Sequence, residues 1–268
     1  MQEGLKYNIS MRRIALRLQY DGSAYNGWQI QPSGITIQGL LEDRLYRLTG
    51  ERVRVIGAGR TDAGVHAIEQ VAAFDSSSPL DLTVMKRALN ALLPRDVRVM
   101  GIDEVRGDFH PRYSALSKRY FYIIVEERDM PVFVQRYVWA VGRPLDLDAM
   151  RAAAMALEGS HDFSSFRGAG CGARNPVRHV YHIGLERLEE ATFFSVRFPC
   201  RYIKLSIEAN AFLRHMVRNI VGTLVEVGRG KIMPGAMRDI LESRDRGLAG
   251  PTAPPQGLFL EGIIYKPA

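Results

Sequence analysis

VRVIGAGRTDAGVHAIEQVAAF, residues 53–74, is the stretch from which the rest of the chain is read. Its apolar runs at 53–58 and 70–74 predict two strands around a glycine-rich loop. Gly57, Gly59 and Gly64 permit tight turns, and among them stand a cation, a hydroxyl, a carboxylate and an imidazole: Arg60, Thr61, Asp62 and His66. Such a loop at a strand end can present Asp62 into a cleft. The residues alone leave two readings open. Asp62 can form an Asx-turn with Arg60 in a surface ion pair, the commoner fate of a glycine-rich loop, or it can be a reactive carboxylate. No Gly-Lys-Ser/Thr ending follows and the spacing fits no dinucleotide fingerprint, which removes the phosphate-loop reading. Asp62 and His66 can reach one ion, but the further ligands of a stable metal site are missing, so no metal is expected.

Outward from the loop, apolar spacing predicts a strand at 14–20, a helix at 36–48, a helix at 82–93 ending before Pro94, and a strand at 97–105. After a polar stretch, 106–117, a second series begins. It has strands at 120–125, 180–188, 193–198 and 202–209, helices at 147–157 and 212–227, a short helix after Pro234, and a last strand at 258–265. The class is α+β, with residues 11–112 and 113–268 as two units side by side. Residues 1–10 precede Met11 as a start-site extension or tag remnant and are expected to be loosely ordered.

The chain has 268 residues, 46% hydrophobic, enough to bury a sizeable core. A net charge of +7 favours a polyanionic partner, and nucleic acid comes before membrane because no amphipathic Lys-rich surface segment is visible. Lysine occurs only at positions 6, 86, 118, 204, 231 and 266, so the cations are mostly arginines, whose planar fork suits phosphates and stacked bases. Cys171 and Cys200 are the only cysteines, which excludes a disulfide framework or a four-thiolate zinc site within the chain. With neither a signal core nor a membrane span in view, a reducing, cytoplasmic location is expected.

GRTDAGVHA (59–67) resembles the signature of the TruA family of tRNA pseudouridine synthases. YDGSAYNGWQIQ (20–31), TIQGLLEDRL (36–45), LPRDVRV (93–99), FHPRYSALSKRYFY (109–122), GSHDFSSF (159–166), NAFLRHMVRNIVGTLVEVGRGK (210–231) and AGPTAPPQGLFL (249–260) resemble the family in the same order. Pro111 departs from the small residue usual before the arginine, and 136–145 matches no motif and receives no role.

The resemblance implies two ferredoxin-like halves joined through a central antiparallel sheet, an active-site cleft between them, a homodimer, and no metal or organic cofactor. It implies isomerisation of uridine to pseudouridine at positions 38 to 40 of the tRNA anticodon arm, with Asp62 as nucleophile. Arg218 is its expected cation. On a helix starting at Phe212, Arg218 falls on a polar arc with Arg214, His215, Asn219 and Gly222; without the resemblance, a solvated face is the ordinary reading. Tyr120, taken to open its strand, is assigned to stacking on the extruded uracil and to aiding removal of the C5 proton. Arg60 is assigned to displacing the target nucleotide and Leu258 to an apolar wall. A catalytically silent tRNA-binding protein, and a metal-dependent nuclease using Asp62, Asp75 and His66, are the other classes considered.

Overall fold

The computed structural model describes residues 11–193 and 195–266; the extension 1–10 lies outside the described residues. β1 (Arg12–Tyr20) buries Ile14, Leu16 and Leu18 on one face. α1 (Ile37–Thr49) starts where the Thr36 hydroxyl accepts the Gly39 amide at 3.2 Å and stops at Gly50, whose φ is 75°. β2 (Ile56–Gly57) and β3 (His66–Ser76) flank the glycine-rich loop. α2 (Leu82–Leu92) is capped by the Asp81 carboxylate, which accepts from the amides of Thr83 (2.8 Å) and Val84 (3.1 Å), and β4 (Val97–Val105) follows.

The strand expected at 53–58 shrinks to the two residues of β2. At Val55 the backbone is claimed by side chains of α1 instead: Gln38 donates to its carbonyl and Glu42 accepts its amide, both at 3.0 Å. β3, in turn, starts four residues before the expected Gln70.

The second series runs β5 (Ala115–Val125), β6 (Trp139–Ala140), α3 (Leu147–Met155), β7 (Gly159–Asp162), β8 (Val177–Phe193), β9 (Val196–Ala209), α4 (Met216–Gly228), α5 (Ala236–Ser243) and β10 (Leu258–Tyr265). The break expected between 198 and 202 does not exist. β8 and β9 form one long hairpin that turns at Ser195 (φ 65°), and Pro199 pairs with Glu190 at a register shift, where a missing amide is tolerated.

All ten strands share one sheet in the order β4-β1-β3-β10-β5-β9-β8-β7, with β2 on β3 and β6 on β5. Pairing is antiparallel except for β5 with β6 and for the seam, where Phe259 and Leu260 of β10 lie parallel to His66 and Ala67 of β3. Alternation along the seam strands buries Tyr120, Tyr122, Ile124, Leu258 and Leu260 on one face and leaves Phe121, Ile123 and Phe259 half-buried on the other. Among the described residues no helix is long and apolar enough to cross a membrane.

Candidate active site

The loop carrying Asp62 emerges beside the seam, and buried side chains hold its backbone. Gln70 grips Gly59 at both ends: its amide nitrogen donates to the Gly59 carbonyl at 2.9 Å and its oxygen accepts the Gly59 amide at 3.2 Å. Lys118 Nζ donates to the Ala58 carbonyl at 2.6 Å, across from β5. The hydroxyls of Tyr20 and Thr61 meet at 2.9 Å, and the Trp28 amide donates to the Thr61 carbonyl at 3.0 Å. Gly27 has φ 83°, and a Cβ there would fall 2.5 Å from that carbonyl, so this close approach requires glycine. Each polar backbone group so satisfied removes a reason for the loop to move.

Asp62 faces α4. Its Oδ2 accepts from Arg218 Nη1 at 3.0 Å and lies 3.6 Å from His215 Nε2, with the three side chains 25%, 14% and 26% exposed, so the carboxylate remains reachable from solvent. Arg218 is aimed by a second bond, Nε to the Ala253 carbonyl at 2.8 Å, and the Ala253 amide donates back to the Arg218 carbonyl at 3.0 Å.

The helix differs from the expected one. It starts at Met216 because the preceding backbone bonds elsewhere, the Asn210 amide to the His179 carbonyl and the Arg214 carbonyl to the Gly168 amide, and because His215 sits at φ 60°. Arg214 and His215 therefore precede the helix. The arc expected to be polar is largely covered: Asn219 is fully buried, with its amide oxygen accepting from Thr252 at 2.6 Å and Arg246 at 3.1 Å, and a Cβ on Gly222 would fall 1.7 Å from the Pro251 carbonyl. Burial holds the His215 imidazole below its usual pKa, reinforced by Arg218, Arg214 and Arg246 and opposed by Asp62. Burial thus disfavours charge on His215, and Arg218 is the cation hydrogen-bonded to Asp62.

Tyr120 lies mid-strand in β5, not at its start, packed edge-on to Phe212 with ring centroids 5.1 Å apart. A Cβ built on Gly59 would come within 3.5 Å of the Tyr120 hydroxyl and 3.9 Å of Leu260 Cδ2, so both residues line the floor under the loop. Burial, with smaller contributions from the charges of Tyr20 and Asp62, pushes the Tyr120 phenol well above its ordinary value. Leu260 pairs with Tyr120, whereas Leu258 is buried one step along, opposite Tyr122. Arg60 is exposed and makes no ion pair among the described residues.

A second network braces the seam. The His66 Nδ1 accepts the Gly22 amide at 3.1 Å and lies 3.1 Å from Asp21 Oδ1, while Nε2 donates to the Gln256 carbonyl at 3.2 Å. Its ring stacks on Phe259, centroids 4.6 Å apart, and the Tyr137 hydroxyl donates to Asp21 Oδ2 at 2.9 Å. Tyr137 gives part of the unmatched segment 136–145 a bracing contact. Burial, the largest influence, depresses the His66 pKa from 6.5 against the pull of Asp21. Between the depressed folded value and the unfolded value near 6.5 only the unfolded chain binds the proton, so this group makes stability fall as pH drops through about 6.5. His66→Gln is expected to flatten the decline in melting temperature between about pH 7 and 5; a decline parallel to that of the unsubstituted protein would show that His66 does not titrate in this way.

Gln70, Lys118, His215, Phe212 and Leu260 were not singled out for the site by sequence; each lies inside an element or beside a motif where an ordinary packing role is the default. Among the described residues no three His, Cys, Asp or Glu side chains gather to hold a metal ion.

A family model described as tRNA pseudouridine synthase matches residues 17–114 and 153–266. Proteins called tRNA pseudouridine synthase A match nearly end to end. That of Thermoanaerobacter sp. (strain X514) is 43% identical over 95% of this chain and 100% of its own. Those of Myxococcus xanthus and Syntrophomonas wolfei are each 46% identical, over 96% and 95% of this chain and 93% and 98% of theirs. With identity at this level over this much of both partners, the chain belongs to the tRNA pseudouridine synthase family, isomerases that act on tRNA.

Proposed function

We propose that the protein converts uridine to pseudouridine at positions 38, 39 and 40 of the tRNA anticodon arm, with Asp62 as nucleophile and no metal or organic cofactor. The observation that carries this reading is the partly exposed Asp62 carboxylate held 3.0 Å from Arg218, itself fixed on Ala253. The reaction breaks the bond from ribose C1′ to uracil N1, turns the base in place, and joins C1′ to C5, which gives up its proton while N1 gains one. It needs no redox partner. A charged carboxylate attacking base or sugar divides the hard step into easier ones, and a neighbouring guanidinium favours the ionised form.

In this reading the uracil, taken out of the stack, rests on Tyr120, with Leu258 contributing an apolar wall, and Arg60 occupies the space the nucleotide leaves. A phenol kept protonated by burial is a poor base on its own, so at C5 it takes up the proton only as it passes its own on toward N1, which gains one. Tyr120→Phe should slow turnover more than it weakens tRNA binding, and Tyr120→Leu should in addition lose stacking of about 1–3 kcal/mol. Wild-type rates in both variants would remove Tyr120 from the site.

The architecture fits two ferredoxin-like halves, 11–112 and 113–268. The first orders its elements strand-helix-strand-strand-helix-strand, and the second follows that order with β6, β7 and α5 added; the strand orders β4-β1-β3-β2 and β10-β5-β9-β8 support this reading. The family resemblance further supports a cytoplasmic homodimer. The decisive experiment incubates EDTA-treated protein with an unmodified tRNA transcript and maps pseudouridine by carbodiimide-dependent reverse-transcription stops. Stops at 38 to 40 are expected, and their absence at saturating enzyme would end this reading.

A further inference from the structure

Beside the loop that presents Asp62 lies a group of cations that the reaction does not use. Lys118 is buried in β5, and of its three N–H donors one is spent, on the Ala58 carbonyl at 2.6 Å; no other acceptor is found among the described residues. Arg178, at the start of β8, has Nη1 fixed by the carbonyls of Asn175 (2.9 Å) and Val177 (2.6 Å), yet its Nε is buried with no partner. Arg112 projects from the exposed turn before β5, its guanidinium 5.6 Å from the Tyr113 ring centroid. None of the three is ion-paired with a carboxylate among the described residues, although arginines elsewhere in the chain commonly are.

The three share one neighbourhood. Lys118 pairs with Ala209 of β9, which pairs with Val180 of β8, two residues beyond Arg178 and on the same face. Burial, then the nearby charges of Arg112 and Arg178, holds the Lys118 ammonium down to about 8. A buried ammonium beside two guanidinium groups, with donors to spare and no anion, is costly unless something outside the chain supplies one. The place adjoins the site on two sides: Lys118 holds the root of the Asp62 loop, and Cys171, near enough to act on the Arg178 charge, follows a segment whose Ala169 carbonyl accepts from Arg214 Nη1 at 3.0 Å.

We propose that Arg112, Arg178 and Lys118 form a phosphate subsite that seats one phosphate group next to the catalytic loop, either a backbone phosphodiester of the bound RNA or free inorganic phosphate. The proposal rests on the reading of the Asp62 loop as the place where the target uridine enters. A phosphate flanking that nucleotide then fixes the strand while the base is out of the stack, and it bonds to the same lysine that holds the loop.

The test measures tRNA affinity as a function of salt for the full chain and for Arg112→Gln and Arg178→Gln, with Arg47→Gln, a surface arginine paired with Asp43 on α1, as control. Inorganic phosphate is titrated calorimetrically against the same proteins at low ionic strength. For a backbone phosphate, each subsite variant should flatten the slope of log affinity against log salt by about 0.7–1, with the control unchanged. If the slopes are unchanged while phosphate binding is lost in both subsite variants, the subsite takes free phosphate. Folded variants that match the unsubstituted protein in both measurements would overturn the proposal. Neither readout requires turnover, so failure of pseudouridine formation would be seen separately.

Discussion

Asp62→Asn is expected to abolish pseudouridine formation while leaving tRNA affinity and folding near their original values. The amide keeps the shape of the carboxylate and one acceptor oxygen, so Arg218 retains a partner and remains anchored on Ala253. It is not a nucleophile of comparable strength. Tritium release from C5-labelled uridine in tRNA, followed under single-turnover conditions with enzyme in excess, should fall by at least about a thousandfold. The rival view of Asp62 as a turn former predicts the reverse, because Asn makes Asx-turns and accepts the same backbone at least as well. Brisk release by a homogeneous variant free of deamidation would dispose of the catalytic assignment.

Arg218→Ala should produce the second-largest loss. The guanidinium makes a charge-assisted bond to Asp62 at 3.0 Å and is 14% exposed, so solvent screens the pair only in part. A hydrogen bond to a charged group is worth about 1.5–3 kcal/mol, which translates to a rate lower by about 10- to 150-fold. The fold should survive, since the main-chain bond from Ala253 to Arg218 does not depend on the side chain. Arg218→Lys restores the charge without the two-pronged geometry that bonds Asp62 and Ala253 together, and should recover activity only in part. Full activity in the alanine variant would show that the pair is a bystander.

Local signals made much of the framework legible. Thr36 and Gly50 bracket α1 and Asp81 opens α2, because caps are written in the residues that make them. The break placed between 198 and 202 has no counterpart: a register shift in the β8–β9 hairpin accommodates Pro199 within the strand, and the turn at Ser195 has neither glycine nor proline to announce it. The start of α4 was misplaced because Phe212 continues its apolar spacing, while the bonds that hold 210–214 out of the helix go to residues distant in sequence. The same limit governs the site. Asp62 and Arg218 stand 156 positions apart, and no spacing rule joins them; only likeness to a family suggested the pair. Gln70 and Lys118 act on the loop through its carbonyls and amides, which leave no mark on side-chain periodicity.

The seam strand also decides when the molecule becomes whole. Among the described residues β10 is the last of ten strands in chain order, yet it sits in the middle of the sheet, between β3 and β5. During synthesis both of those strands emerge long before it, each with an unpaired edge of the kind that invites aggregation. A contact between positions so far apart in sequence forms slowly, since the long intervening chain must first be closed into a loop. A ribosome-bound chain lacking β10 therefore has Asp62 and Arg218 already made but not yet held to a common wall. Chaperone capture should concentrate in this interval, and the enzyme should acquire its competence in a single late step.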